Sequence, residues 1–305
     1  MLNFLYAFDK NYSAQGFTSI YSLLEKVEEQ INISLLLDSS SFDQEIPIKI
    51  KSHKNLNLLR KNLINADEYF YNLEDSHVSK ATFYRLFINE KIKISSEYLI
   101  YLDCDVICLE NPCEILNNKI NQMKINKHPF AMVDELYRHQ YDEPFTRLSM
   151  NSNKYFNAGF MIIDIKHWES EQLSSKSIHK INTLKNKAKF WDQDILNSLI
   201  DGNYLSLESG LNFKSAEKSD NFNNLYFLHF SGKTKPWEVG GYFEKFAIVY
   251  HENFSALYNK EFHIICKNIK NSILKLNRAL FSNKLTFKSA RYIYFSFVTI
   301  IKKLL

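Results

Sequence analysis

Two aspartates, Asp103 and Asp105, stand either side of a single residue directly after the apolar run Tyr98–Leu102. Carboxylates at this spacing would repel each other unless a cation lay between them, and a hard divalent ion such as Mn²⁺ or Mg²⁺ suits such oxygen ligands. A bound ion would in turn attract the oxygens of a diphosphate. A D-x-D triplet also occurs in ordinary surface turns, so the apolar run before it is what favours a metal site.

A second group of candidate residues lies in L-H-F-S-G-K-T-K-P-W, residues 228–237, which also follows an apolar run. His229 could complete a metal site with the two aspartates, and Gly232 and Lys235 could form a loop that holds phosphate. The alternative for His229 is a hydrogen-bonded histidine inside the core. The sequence leaves both interpretations open.

Two further polar clusters stand next to apolar patterns. In Y-F-N-A-G-F-M-I-I-D, residues 155–164, Asn157 could offer its amide to a ligand that small neighbours allow to come close; a plain turn is the alternative. In W-D-Q-D-I-L, residues 191–196, Asp192 and Gln193 precede a helical pattern and could simply cap it. Each cluster is ambiguous alone.

The elements that would position these residues follow from the hydrophobic pattern. Short apolar runs predict strands, and apolar residues at helical spacing predict helices. The sequence predicts strands at 3–8, 33–38, 98–102, 130–133, 160–165 and 225–230, with helices after a Ser13 cap, over 81–92 and over 192–200. Strands that alternate with helices predict an α/β fold with a mostly parallel sheet, which binds ligands at the carboxyl ends of its strands.

Composition is typical of a globular protein. Aromatic residues make up 15% of the 305 residues, while glycine and proline number only 7 and 5, which argues against disorder and long linkers. The four cysteines predict buried thiols rather than a disulfide framework, with a thiolate metal site as the alternative. The first residues lack the pattern of a secretory signal, so we expect a cytoplasmic protein.

Charge is unevenly distributed. Residues 262–305 hold nine Lys and Arg and no Asp or Glu, whereas the part before them has more acids than bases. Apolar residues interspersed with these bases predict an amphipathic helical tail, and its aromatic stretch 292–301 is too short to span a bilayer. We expect a folded body over 1–261 and a basic, aromatic tail over 262–305 that binds an anionic membrane surface. A helix packed on the acidic body is the alternative, and no motif supports nucleic-acid binding.

Six ordered blocks of the sequence resemble glycosyltransferase family eight. They are A-F-D-x-N-Y (7–12), A-T-F-Y-R-L (81–86), Y-L-D-C-D (101–105), F-N-A-G (156–159), D-Q-D (192–194) and H-F-S-G-K-T-K-P-W (229–237). Within that family the chain is similar to bacterial lipopolysaccharide and lipooligosaccharide galactosyl- and glucosyltransferases. The resemblance covers about residues 3–260 and implies a GT-A catalytic domain, a UDP-galactose or UDP-glucose donor, bound Mn²⁺ or Mg²⁺, a saccharide or glycolipid acceptor, and retention of anomeric configuration.

The resemblance also implies roles for residues that match the blocks. The metal ligands would be Asp103, Asp105 and His229. The phosphates would meet Gly232 and Lys235. The segment that holds uracil and ribose is matched by Ala7, Asp9, Asn11 and Tyr12, although Phe8 and Lys10 depart from its usual residues. Positions around the donor sugar and the reaction centre are matched by Arg85, Asp134, Asn157, Asp192 and Gln193. The middle residue of the metal motif is Cys104.

Glycosyl transfer makes particular demands on these residues. The departing diphosphate gains negative charge, which the metal and Lys235 would stabilise. Asp192 could orient the sugar, and Gln193 lies where a weak nucleophile or a stabilising carbonyl would approach its opposite face. We favour a front-face path, which needs no strong protein nucleophile. Two other functions use similar residues: a glycoside hydrolase with paired carboxylates, and a protein that binds a nucleotide sugar without transferring it.

Overall fold

Two β-sheets and the helices that cover them form the body of the protein. The computed structural model describes residues 1–64, 80–88, 96–135, 143–184, 187–216, 224–232, 234–282 and 286–305. Its strands are β1 (Asn3–Phe8), β2 (Ile31–Leu37), β3 (Leu56–Leu63), β4 (Tyr98–Leu102), β5 (Val106–Cys108), β6 (Phe130–Asp134), β7 (Phe156–Asp164), β8 (Leu205–Leu207), β9 (Phe213–Lys214) and β10 (Phe227–His229).

The α-helices of the described ranges separate these strands and complete the C-terminal region. They are α1 (Ser13–Lys26), α2 (Ser39–Phe42), α3 (Ile48–Lys51), α4 (Cys113–Asn126), α5 (Glu143–Leu148), α6 (Ile165–Ser170), α7 (Leu173–Thr183), α8 (Trp191–Ile200), α9 (Ala247–Tyr258), α10 (Ile269–Ser282) and α11 (Phe287–Leu304). Short 3-10 helices lie at Lys10–Tyr12, Lys80–Phe87, Ser209–Leu211 and Gly241–Phe243.

The larger sheet is mostly parallel, as the sequence predicts. Its seven strands run in the order β3-β2-β1-β4-β7-β6-β8, and β7 is antiparallel to both of its neighbours. Because β7 is reversed, its amino end lies at the same edge as the carboxyl ends of β1, β4 and β6. A smaller sheet in the order β5-β10-β9 stands beside that edge.

Continuous apolar strands form here because the larger sheet is buried on both faces. In β1, Phe4 and Tyr6 belong to one hydrophobic core and Leu5 and Ala7 to the other. Successive side chains of a strand point to opposite faces, so two cores require an unbroken apolar run rather than alternation. The same division holds in β4 and β7. The sheet is therefore rigid up to the edge where its polar residues begin.

Several local predictions differ from the structure. Ser13 is the first residue of α1 rather than its cap; Tyr12 occupies that position, and the Ser13 hydroxyl donates a hydrogen bond to Asp9 O at 3.1 Å. The helix predicted over 81–92 is a 3-10 helix over Lys80–Phe87, whose three-residue turns place Phe83 and Leu86 on one side, and residues 89–92 lie outside the described ranges.

The strand boundaries near the cleft also differ from prediction. The strand predicted at 160–165 begins at Phe156, so the N-A-G triplet lies inside β7 and its interpretation as a plain turn is wrong. The strand predicted at 225–230 is limited to Phe227–His229. The first difference arises because polar residues that pair through their backbone do not show in a hydrophobic pattern. The second arises because Leu225 and Phe230 are apolar and buried without being part of a strand.

The C-terminal helices α10 and α11 pack against each other and against the body. Leu276 and Ile293 join Val239 of the body in a small hydrophobic cluster. Arg291 Nη2 lies 2.7 Å from Glu261 Oε2. Among the helices in the described ranges, none has the length and apolar character needed to cross a membrane.

Candidate active site

A cleft opens at the edge of the larger sheet where β1, β4 and β6 end and β7 begins. It contains a cavity of about 800 Å³ whose lining includes Arg85, Asp103, Asp105, Asn157, Asp192, Gln193, His229, Gly232 and Lys235. A neighbouring cavity of about 470 Å³ shares Tyr12, Arg85 and the two aspartates, and adds Ala7 and Cys104. The fold thus gathers most of the sequence-predicted site residues in one place.

The two aspartates meet His229 because β5 and β10 pair as antiparallel strands, with Val106 opposite His229. His229 Nε2 lies 3.2 Å from Asp105 Oδ1 and 3.9 Å from Asp103 Oδ2. One ligand atom from each of the three residues lies within 4.8 Å of the others. Two carboxylates and an imidazole at this spacing could hold a metal ion.

A chain of amide hydrogen bonds determines which nitrogen of His229 carries the proton. The Gly159 backbone N–H donates to Asn157 Oδ1 at 3.0 Å, which assigns that atom as the oxygen. It also accepts from Asn212 Nδ2 at 2.9 Å, so Asn212 Oδ1 faces His229 Nδ1, again at 2.9 Å. Because an amide oxygen can only accept, Nδ1 carries a proton, and in the neutral imidazole Nε2 turns a lone pair toward the aspartates.

Three electron-pair acceptors therefore face one another: His229 Nε2 and the carboxylates of Asp103 and Asp105. Such a group requires a positive charge among its members, either a proton on Nε2 or a metal ion. Lys235 contributes part of this charge, since its Nζ lies 2.6 Å from Asp105 Oδ2. Burial would raise the pKa of Asp105, but the Lys235 ammonium, together with the His229 imidazole when Nε2 is protonated, holds it well below its usual range. The donor set fits a hard divalent cation.

Arg85 joins the acidic pair to the start of α8. Its buried guanidinium places Nη2 2.7 Å from Asp103 Oδ1 and Nε 2.9 Å from Asp192 Oδ2. Nη1 donates to Ala158 O at 2.6 Å, and the group lies 4.5 Å from the centre of the Tyr101 ring. Burial would lower the pKa of Arg85, but the two carboxylates raise it. Arg85 is thus a fixed cation between two parts of the cleft.

Asp192, in the first turn of α8, has a buried carboxylate beside Arg85. Its Oδ2 is buried and has no hydrogen-bond partner among the described residues. Although Arg85 Nε is 2.9 Å away, that nitrogen donates to Thr82 O at 3.3 Å, so Arg85 attracts Asp192 without a hydrogen bond. Burial, opposed by Arg85 and assisted by Asp103, raises the pKa of Asp192 to about 7.

The Gln193 side chain is held by β7. Its Oε1 accepts from Asn157 Nδ2 and from the Ala158 backbone N–H, both at 3.1 Å. Its Nε2 donates to the Tyr155 hydroxyl at 3.2 Å, which in turn donates to Asp194 Oδ1 at 2.6 Å. Gln193 therefore orients Asn157, and the carbonyl that could approach a sugar is already hydrogen-bonded twice.

The absence of a side chain at Gly159 allows β7 to approach His229. A Cβ on Gly159 would lie 2.7 Å from His229 Nδ1, a separation that real Cβ atoms essentially never show. Any larger residue would push the imidazole away from the aspartates or break its bond to Asn212. Gly159 is thus required for the close approach of His229 to β7 and is not part of a turn.

The residues predicted to hold the nucleoside lie at the end of β1 and in the short helix that follows. Asp9 Oδ1 accepts from the backbone N–H groups of Asn11 and Tyr12 at 2.9 and 3.1 Å, so this carboxylate caps the 3-10 helix. Ala7 and Tyr12 line the 470 Å³ cavity. Cys104 Sγ donates to Ala7 O at 3.3 Å, and burial raises the pKa of this thiol well above its usual value. Cys104 therefore stays a neutral thiol beside the metal motif.

Gly232 and Asp134 occupy different places around the larger cavity. Gly232 has a φ of +102°, which favours glycine, and a Cβ there would meet no atom within 4 Å, so its backbone borders open space. Asp134 accepts a hydrogen bond from the Tyr204 hydroxyl. Of Asp134 and its neighbour Glu135, the latter lines the cavity, where it pairs with Lys214.

Sequence reasoning missed the residues that orient the site from behind. Asn212 lies 55 residues from Asn157 along the chain, and only the strand pairing of β9 with β10 brings it to His229. The Tyr101 hydroxyl donates to Asp103 Oδ1 at 2.8 Å from within an apolar run. A polar residue directly before the two-residue strand β9 is the one signal in the sequence, and it is too weak to single out Asn212.

Comparison with solved structures identifies the class of fold. A crystal structure of the galactosyltransferase LgtC in complex with donor and acceptor sugar analogues has a TM-score of 0.71 to this chain at 20% identity, covering 84% of this chain and 96% of that one. The glycosyltransferase GlyE of Streptococcus pneumoniae TIGR4 has a TM-score of 0.60 at 22% identity, covering 85% of this chain and 62% of that one. The architecture is the GT-A fold of glycosyltransferases.

Sequence comparison then gives the family. Glycosyl transferase family 8 matches residues 3–240, and the chain belongs to that family. It is 28% identical to the lipopolysaccharide 1,2-glucosyltransferase of Escherichia coli (strain K12) over 253 residues, 77% of this chain and 72% of that protein. It is 24% identical to the lipopolysaccharide 1,3-galactosyltransferase of Salmonella typhimurium (strain LT2) over 260 residues, 78% of this chain and 74% of that protein. The family resemblance of the sequence motifs is confirmed.

If the cluster holds a divalent cation, replacing Asn212 by Ala should weaken its binding about 10- to 100-fold, because His229 would lose the acceptor that fixes its tautomer. Asn212→Asp is the matched control, since a carboxylate still accepts from Nδ1 and should retain much of the affinity. Calorimetric Mn²⁺ titration in the presence of UDP measures both, with thermal unfolding to confirm that the variants are folded. Equal affinities for wild type and Asn212→Ala would contradict the role of this hydrogen bond.

The pKa of Asp192 predicts a pH-dependent stability. Between pH 3.8, the usual pKa of an aspartate, and about pH 7, the folded state binds a proton that the unfolded state has released, so the stability of the metal-free protein should fall as pH rises through that window. Asp192→Asn removes the titration. Urea unfolding between about pH 4 and pH 8 should show wild type losing up to a few kcal/mol relative to the variant, with no further change above the window. A pH-independent difference would contradict the raised pKa.

Proposed function

We propose that the protein is a retaining glycosyltransferase that moves galactose or glucose from a UDP-sugar to a saccharide or glycolipid acceptor. The acceptor would belong to lipopolysaccharide, lipooligosaccharide or another cell-surface glycan. The observation that carries the proposal is the meeting of Asp103, Asp105 and His229 Nε2 beside Lys235 in a chain of family 8. Relatives named as lipopolysaccharide glucosyl- and galactosyltransferases support both the acceptor class and the two donor sugars.

Mn²⁺, or Mg²⁺ in its place, is the metal that we assign to Asp103, Asp105 and His229. The site has two carboxylates and a lone pair on Nε2, and its acceptors need a positive charge, which supports a divalent ion there. When bound, the ion would supply a Lewis acid for the diphosphate. The negative charge of the acidic pair would otherwise oppose the entry of an anionic donor.

Lys235 and Gly232 would hold the phosphates. The Lys235 ammonium also donates to Phe230 O at 2.7 Å, which keeps it at the carboxyl end of β10 beside the larger cavity. Its charge would stabilise the diphosphate as the glycosidic bond breaks. The open backbone at Gly232 would let phosphate oxygens come close without a steric clash.

The donor sugar would lie between β7 and α8. Asp192, which lines the cavity, would bind a sugar hydroxyl, and Arg85 would hold its carboxylate in place. Asn157 lines the cavity in the same region, whereas Asp134 bonds to the Tyr204 hydroxyl and does not line it. The two hydrogen bonds to Gln193 Oε1 favour a front-face path, in which the departing phosphate accepts the proton of the acceptor hydroxyl.

The two alternatives differ in what they require. A hydrolase would use an acid and a second carboxylate on opposite sides of the sugar, and membership of a glycosyltransferase family argues against it. A protein that only binds the nucleotide sugar would bind UDP without turnover.

Asp105→Asn should reduce transfer or donor hydrolysis by at least about 100-fold in Mn²⁺, because it removes a metal ligand and the partner of Lys235. The matched control is Glu171→Gln, which removes an exposed carboxylate that pairs with Lys176. A panel of UDP-sugars, assayed for release of UDP, measures turnover and identifies the donor. Near wild-type rates in Asp105→Asn would contradict the assignment, and UDP binding without turnover by the wild type would favour the binding-only alternative.

Helix α11 supports attachment of the protein to the inner face of the cytoplasmic membrane. Tyr292 and Ile293 are buried against the body, whereas Phe287, Tyr294 and Phe297 are exposed. An outward face of aromatic residues with lysines at its C-terminal end suits the headgroup region of an anionic bilayer. We therefore propose that residues 262–305 bind the membrane surface and that residues 1–261 carry the catalytic residues in the cytoplasm.

The combined variant Phe287→Ser, Tyr294→Ser and Phe297→Ser should lower affinity for vesicles containing anionic phospholipid at least about tenfold, since it removes the apolar area that would be buried. The control is Ile125→Ser, an exposed apolar residue of α4 that is 78% accessible. Vesicle co-sedimentation measures both. Unchanged binding in the triple variant would show that this face of α11 does not attach the protein to the membrane.

A further inference from the structure

The C-terminal segment is joined to the loop that carries Lys235. The Ile265 backbone N–H donates to Trp237 O at 2.7 Å, and the Val239 N–H donates to Ile265 O at 3.2 Å. Glu238, between these two residues, pairs with Ile265 as in a parallel bridge. The tail thus begins as a backbone extension of the segment directly after Lys235.

Glu238 is the centre of this junction. Its Oε1 lies 2.9 Å from Lys267 Nζ and its Oε2 lies 3.1 Å from Lys275 Nζ, and its backbone oxygen accepts from the Tyr292 hydroxyl at 2.7 Å. Burial would raise the pKa of Glu238, but the two lysines hold it below its usual value. The single negative charge of Glu238 is thus paired with two lysines, and either lysine alone would neutralise it.

Of the two lysines, Lys267 is the one that reaches the cleft. It lines the 470 Å³ cavity together with Tyr12, Arg85, Asp103 and Asp105. Its side chain is 55% accessible, whereas that of Lys275 is 37% accessible. Only the lysine end of the Lys267–Glu238 pair is exposed, since the Glu238 side chain is 12% accessible; Lys267 can turn to another partner because Lys275 remains to neutralise Glu238.

We propose that Lys267 is a donor-binding residue that contacts the diphosphate of the nucleotide sugar from the C-terminal segment. This inference rests on the proposed function, because it takes a nucleoside diphosphate as the ligand of the cavity. A flexible ammonium is a suitable partner for phosphate oxygens, and its position at the rim allows it to close over them after binding. The donor site then includes residues beyond 261, and the tail contributes to catalysis as well as to location.

Lys267→Ala should weaken Mn²⁺-dependent UDP binding about tenfold or more, since a hydrogen bond to a charged group is lost. The same change should leave the weaker binding of uridine, which has no phosphate, within about twofold. Lys267→Arg should restore most of the UDP affinity. Lys270→Ala, an exposed lysine of α10 outside this cavity, is the matched control and should bind UDP as the wild type does. Isothermal calorimetry gives the affinities, and thermal unfolding checks the fold of each variant.

The outcomes separate this inference from the proposed function. If the wild type does not bind UDP with Mn²⁺, the proposed function fails. If the wild type binds UDP and Lys267→Ala binds it equally well, the inference alone is overturned. Equal losses for UDP and uridine would also overturn it, because Lys267 would then support the nucleoside pocket rather than the phosphates. Loss of UDP binding in Lys267→Ala with rescue by Lys267→Arg would support it.

Discussion

Three electron-pair acceptors converge in the cleft from parts of the chain that are distant in sequence. Asp103 and Asp105 follow β4, and His229 ends β10; an amide chain through Asn212 and Asn157 holds the Nε2 lone pair toward the carboxylates. Their mutual repulsion needs a cation, and the surrounding structure supplies fixed charges on either side, Arg85 and Lys235. Each of these two cations donates to one carboxylate of the pair: Arg85 to Asp103 and Lys235 to Asp105.

The sequence predicts those site residues whose type contrasts with the residues around them. Charged residues after an apolar strand, as at Asp103 and Asp105, stand out against the pattern, and the family motifs add His229 and Lys235. The structure brings these four together. The mostly parallel sheet is predictable for the same reason, since only burial on both faces accounts for unbroken apolar runs such as Tyr98–Leu102.

What the sequence does not predict depends on strand direction and on backbone hydrogen bonds. The reversal of β7 leaves no trace in composition, yet it places Asn157 and Gly159 at the ligand edge and makes them part of a strand rather than a turn. Asn212 is an ordinary asparagine until β9 pairs with β10. Trp237 and Ile265 are linked by backbone atoms alone. The boundary predicted after residue 261 from the distribution of charge therefore separates two segments that are hydrogen-bonded to each other.

The pairing of β5 with β10 also has a consequence for the newly made chain. Asp105 and Lys235 are 130 residues apart in sequence. During synthesis, Asp103 and Asp105 are therefore made long before His229 and Lys235. Contacts this remote form late, after the local ones. The two halves of the candidate metal site are therefore synthesised far apart in time, and the site can form only after residue 235 has been made.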